Sequence, residues 1–116
     1  MTYQMNLNDG PFQLISSGQK EVEMRLNTPK RAVIKPGDHI VFTNEKDGKQ
    51  IEVLVLNIMK FPSFKELYEN IDNTKLGYIK GEKADYQDMY FYYKKEDIQK
   101  YGVLAIFIKL LLNNNF

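Results

Sequence analysis

The segment from Gln50 to Met59 is apolar on both of its faces. Ile51, Val53 and Val55 alternate onto one side, and Leu54, Leu56 and Ile58 onto the other. Successive side chains of a strand point to opposite sides of the sheet. Neither side of this strand can be given to water cheaply. Such a strand is central in its sheet, or changes neighbours midway as strands do in a small barrel. In a chain of 116 residues, its partners must come from one domain with one small core.

Those partners can be read along the chain. Tyr3, Met5 and Leu7 alternate with polar residues and predict a first strand. Asn8-Asp9-Gly10-Pro11 predicts a helix start, with Asp9 or Gly10 as cap and Pro11 in the first turn. Phe12, Leu14 and Ile15 supply the buried stripe, and Gly18 the left-handed stop. A second strand is predicted over Glu21–Leu26, with Val22, Met24 and Leu26 on one face. A basic loop with a helical turn near Pro29–Val33 leads to the turn Lys35–Asp38 and a third strand, His39–Thr43. Asp47-Gly48 is a hairpin signal into the fourth strand. Ser63 and Glu66 have capping-box spacing for a helix reaching about Ile71. Asn70–Gly81 reads as loop, and the aromatic stretch Asp85–Tyr93 as helical or irregular. A helical turn over Lys94–Tyr101 ends at Gly102, and Val103–Leu110 is a last, strongly apolar strand. Residues 1–112 are expected to form the domain and residues 113–116 a frayed tail. The fold expected is α+β: a small, curved, mixed β-barrel of about five to six strands with two or three short helices plugging its ends.

Composition narrows the function. There is no cysteine, which rules out a thiolate metal site or nucleophile and suits a cytoplasmic protein. A single histidine, His39, makes a multi-histidine metal centre untenable, so no metal and no cofactor are expected. His39 follows a turn and reads as a surface residue. No basic-then-apolar leader stands at the N-terminus, and no apolar run approaches the ~20 residues that span a bilayer. A net charge of +1 argues against coating duplex nucleic acid. Locally the balance differs: Gln19–Lys35 holds five cations (Lys20, Arg25, Lys30, Arg31, Lys35) against Glu21 and Glu23. That segment is either a solvated basic rim or the wall of an anion-binding cleft.

The second predicted strand carries Glu21, Glu23 and Arg25 on its polar face, with Lys20 at its entrance. Glu23 and Arg25 are neighbours on that face, so the carboxylate can aim the guanidinium. Exposed, the pair would add ~0–1 kcal/mol. In a cleft, it would orient Arg25 toward a phosphate or a planar base, with Lys20 as a charged donor or a base. Lys30 and Arg31 would then meet phosphates of a longer ligand. The aromatic cluster Tyr86, Tyr90, Phe91, Tyr92, Tyr93 and Tyr101 either covers one end of the core or stacks on unpaired bases. Tyr90 and Tyr93 are the rings carried forward as candidates.

These segments together resemble a known family. Pro11-Phe12, Ile15-x-x-Gly18-x-Lys20-x-x-Glu23-x-Arg25-Leu26 and Ile34-x-x-Gly37-Asp38-x-Ile40-x-Phe42 look like the ASCH domain. Ser63-Phe64-x-Glu66-Leu67-Tyr68 and Tyr101-Gly102-Val103-x-Ala105-Ile106 extend the resemblance over about Met5 to Ile108. It implies a PUA-like β-barrel that binds RNA in a cleft between barrel and first helix, lined here by Gly18, Lys20, Glu23 and Arg25. Small bacterial relatives hydrolyse N4-acetylcytidine with a lysine, a threonine and a glutamate. Lys20 matches that lysine, but Glu23 stands in the threonine's place, and the third residue is not placed within Asn70–Gly81. The resemblance therefore favours an RNA- or nucleotide-binding module. Its alternatives are an amidohydrolase using Lys20 and Glu23, and a protein-interaction domain with an apolar edge at Leu104–Leu112.

Overall fold

The computed structural model describes residues 1–113. Five strands form one sheet: β1 (Thr2–Leu7), β2 (Val22–Leu26), β3 (His39–Asn44), β4 (Gln50–Phe61) and β5 (Val103–Asn113). Their order is β1-β3-β4-β5-β2, with β1 parallel to β3 and every other pair antiparallel. The sheet curls into a half-barrel whose edges are β1 and β2. Four short α-helices accompany it among the described residues: α1 (Asp9–Ser16), α2 (Pro29–Ala32), α3 (Phe64–Asn70) and α4 (Lys95–Tyr101). Two 3-10 helices, Asn73–Leu76 and Tyr86–Phe91, fill the stretch between α3 and α4.

Two cores explain the apolar patterning. One lies under α1 and joins Phe12 and Ile15 to Met5, Ile40, Phe42, Val53, Leu104 and Ile106. The other packs α3, α4 and the 3-10 helices on Val22, Met24, Val103 and Ala105. Strand β5 therefore separates the cores, and its alternate residues serve both. The fourth strand differs from the expectation. Its register against β5 shifts between Val55 and Asn57, and Leu56 is 51% exposed. A bulge re-aims the residues that follow it, and Ile58 packs against the same core as Val53 and Val55. Strand β4 is central in the sheet: it lies between β3 and β5 over Gln50–Leu54 and keeps β5 alone beyond that.

Further expectations are corrected. Asn8, not Asp9 or Gly10, takes the cap position of α1, with no side-chain cap bond. Asp9 is drawn off by Asn44 and Gln13, whose amides donate to its carboxylate at 2.9 and 3.2 Å. Ser63 caps α3 by position, but its hydroxyl bonds the Glu66 carboxylate instead of a backbone N–H. The expected apolar edge at Leu104–Leu112 is covered in its first part, where β2 pairs along Val103–Phe107. Strand β5 also runs to Asn113, and residues 114–116 of the expected tail lie outside the described residues.

Candidate functional site

Gly18 closes α1 with φ near 82°, donating its N–H to the Ile15 carbonyl at 3.0 Å. Only glycine takes that conformation freely. The turn brings Lys20 back beneath α1, where its N–H meets the Leu14 carbonyl at 3.0 Å. Strand β2 begins there. Glu23 pairs with Ile106 and Arg25 with Leu104 across the β2–β5 ladder, so both side chains share the face of the α1 core.

On that face, a chain of polar contacts runs from the first 3-10 helix to the opposite sheet edge. The Lys20 ammonium donates to the Leu76 carbonyl at 3.2 Å and lies 3.4 Å from Glu23 Oε1. Arg25 Nε donates to Glu23 Oε2 at 2.9 Å, and Arg25 Nη2 to the Asn6 carbonyl at 3.0 Å. Asn6 belongs to β1 and Arg25 to β2, so this guanidinium joins the two edges of the half-barrel. Lys20 is only 7% exposed and Glu23 only 4%. Charges are almost never buried this far unless paired. Here each carboxylate oxygen faces its own cation.

Above these residues opens a cavity of about 650 Å³, well within the size range of small-molecule sites. Asn6, Pro11 and Leu14 form one side; Leu76, Gly77, Tyr78 and Tyr68 form another; Phe91, Tyr92 and Tyr93 stand at a third. Gly77 has φ near 112°, and a Cβ there would meet Leu14 Cδ1 at 3.1 Å and Lys20 Cδ at 3.7 Å. The glycine lets the 3-10 helix close over the lysine stem.

The tyrosine wall is ordered by hydrogen bonds. Tyr78 donates its hydroxyl to Asp88 Oδ2 at 2.8 Å, and the hydroxyls of Tyr68 and Tyr78 are 3.0 Å apart. The Asp88 carboxylate needs a donor, so Tyr78 accepts from Tyr68. Burial pushes both phenols above the usual tyrosine range, and for Tyr78 donation to the Asp88 carboxylate pushes the same way. Burial does the same to Tyr93, with the nearby Arg25 charge opposing it. Four carboxylates (Glu23, Glu45, Glu82, Asp88) line the cleft against two cations, Lys20 and Arg25. Both cations already serve Glu23.

The structure brings Lys20, Glu23, Arg25 and Tyr93 together at this cleft. Gly18 shapes its entrance without lining it. Lys30 and Arg31 lie on α2, outside the lining. The Arg31 pKa is lowered, first by burial and then by the Arg25 charge, so it stands in the field of the site. Tyr90 is turned away: it meets Tyr86 edge-on at 6.2 Å, and the Lys95 ammonium lies 5.0 Å from its ring centre. His39 pairs with Glu52 at 2.6 Å on the β3–β4 ladder, away from the cleft. Among the described residues, no group of acids and histidines is arranged for a metal, and no helix is long and apolar enough to cross a membrane. Sequence reasoning missed Tyr68, Gly77, Tyr78 and Asp88. The one local signal was a glycine directly before a tyrosine in the stretch taken as loop.

The model of the ASCH domain matches residues 5–111 of this chain. Among solved structures, the chain is similar to the hypothetical protein PH0355 with 35% identity, covering 96% of this chain and 100% of that one at a TM-score of 0.83. Protein PF0455 from Pyrococcus furiosus is also 35% identical over 96% of this chain and 98% of its own, with a TM-score of 0.69. ASCH from Zymomonas mobilis, 14% identical over 97% of this chain and 72% of that one, shares the fold at a TM-score of 0.68. No curated protein matches the chain. With the family model spanning nearly all of its length, the chain belongs to the ASCH domain family.

Proposed function

We propose that the cleft binds one unpaired base of a single-stranded RNA, and that the protein acts by binding rather than by hydrolysis. The observation that carries this reading is the buried Lys20–Glu23–Arg25 chain at the floor of an aromatic-walled cleft. A buried ion chain is weak evidence for stability, so its placement under a cavity points to use. An ammonium has three donors; Leu76 and Glu23 engage two, which leaves one for a ligand acceptor. Flat aromatic walls suit a base, which single-strand recognition stacks and hydrogen-bonds at its edges. The four lining carboxylates disfavour phosphate inside the cleft, so the backbone would stay outside it, within reach of Lys30 and Arg31.

Hydrolysis of N4-acetylcytidine has less support. A nucleophilic hydroxyl needs an activating base. Glu23 occupies the position expected for threonine, and the phenols of Tyr68 and Tyr78 are held neutral. Lys20 acts as donor in both of its contacts, whereas a base needs a lone pair.

Titration of single-stranded RNA, cytidine and N4-acetylcytidine into the wild type, Lys20→Met and Arg25→Ala tests the reading. Binding at moderate salt is expected, weakened about tenfold or more in each variant, the usual scale for a lost charged hydrogen bond. Absence of binding, or equal binding by the variants, overturns it. Cytidine released from N4-acetylcytidine above a Lys20→Met control would show hydrolysis instead.

A further inference from the structure

Phe91 is 89% exposed and Tyr92 57%. Both rings stand at the mouth of the cleft. Their support is firm. The 3-10 helix Tyr86–Phe91 begins at Asp85, whose carboxylate accepts from the Gln87 N–H at 2.9 Å. Met89 anchors it in the core, and Tyr93 stacks on Phe64 with centroids 5.8 Å apart and planes 20° from parallel. Tyr78 holds it from the side, donating its hydroxyl to Asp88. A phenyl ring is thus held in water at a fixed place beside the cavity.

We infer that Phe91, with Tyr92, is a second stacking position, which receives the base next to the one in the cleft. This rests on the reading of the cleft as a site for one unpaired base. Charge complementarity selects the occupant. A strand whose base enters the cleft must carry its linking phosphate past the rim, because the cleft interior is acidic. Cations stand beside the tyrosine wall: Lys94, exposed, follows Tyr93 directly, and Arg31 on α2 stands in the field of Arg25. Every base has a flat face, so stacking there tolerates any base. The site therefore reads one base and grips its neighbour without choosing it.

The test compares cytidine with a cytidine trinucleotide on wild type, Phe91→Ala and Phe91→Trp by calorimetry. Wild type is expected to prefer the trinucleotide about tenfold, the usual scale for a stacked base. Phe91→Ala should lose that preference and bind the trinucleotide no more tightly than cytidine, while Phe91→Trp keeps the preference. A trinucleotide affinity unchanged by Phe91→Ala overturns the platform and leaves the cleft reading standing. So does a change of oligomeric state in Phe91→Ala with RNA binding intact, which would mark the ring as a protein contact. Failure of wild type to bind either ligand overturns the cleft reading and the platform with it.

Discussion

Glu23→Gln is expected to destabilise the fold by about 3 kcal/mol and to abolish ligand binding. The carboxylate is buried, and its two oxygens face Lys20 and Arg25 separately. Glutamine keeps the shape and removes the charge, leaving two cations crowded around a neutral amide. Removing one member of a buried ionic group costs about 3–5 kcal/mol, chiefly because the other is left uncompensated. The low end applies because the site opens to a cleft that water can enter. Urea unfolding followed by circular dichroism measures the change, and a loss below about 1 kcal/mol contradicts burial of a working ion chain. The double variant Lys20→Met/Glu23→Leu offers a sharper check. It removes the ammonium and the carboxylate together, so its cost should fall well below the sum of the single replacements.

Phe64→Ala is expected to cost about 4 kcal/mol, in the usual range for emptying a fully buried phenylalanine site. The ring is 1% exposed and belongs to the core under α3. It also supports Tyr93, so truncation should loosen the wall of the cleft as well as the core. Phe64→Leu refills most of the volume but offers no face for Tyr93. It should recover most of the stability and less of the RNA affinity. The same unfolding experiment, paired with RNA titration, reads both effects. Equal recovery of stability and affinity would mean that the stacked pair does not shape the site.

Much of this architecture was legible in short-range pattern. Alternation located β2 and separated Val22 and Met24 from Glu23 and Arg25. The glycine at position 18 marked the end of α1, and Asp47-Gly48 marked the hairpin between β3 and β4. What failed has a common physical cause: local sequence does not report competition from distant partners. Asp9 could cap α1, but Asn44, 35 positions away, takes its carboxylate. The strand bulge after Val55 depends on how β5 lies beside it. It moves Ile58 to the face that alternation had given to Val55.

The cleft was half legible for the same reason. Lys20, Glu23 and Arg25 lie within six residues, and strand geometry brings them together. Tyr68, Tyr78 and Asp88 meet through a wall assembled from α3 and two 3-10 helices, with no periodic signal. Lys20 finds its carbonyl partner 56 positions away at Leu76. In the aromatic run, the 3-10 helix has three residues per turn. That period sets Phe91 in line with Asp88, and both line the cleft, a placement composition alone does not make.

The central claim is that ligand recognition occurs at the cleft over Lys20, Glu23 and Arg25. Amide chemical shifts recorded while a short single-stranded RNA is titrated into the labelled protein test it most directly. The predicted result is a contiguous set of perturbations at Lys20, Glu23, Arg25, Gly77, Tyr78 and Phe91–Tyr93. Perturbations confined to the β3–β4 face around His39 and Glu52, with the cleft amides unmoved, would contradict it.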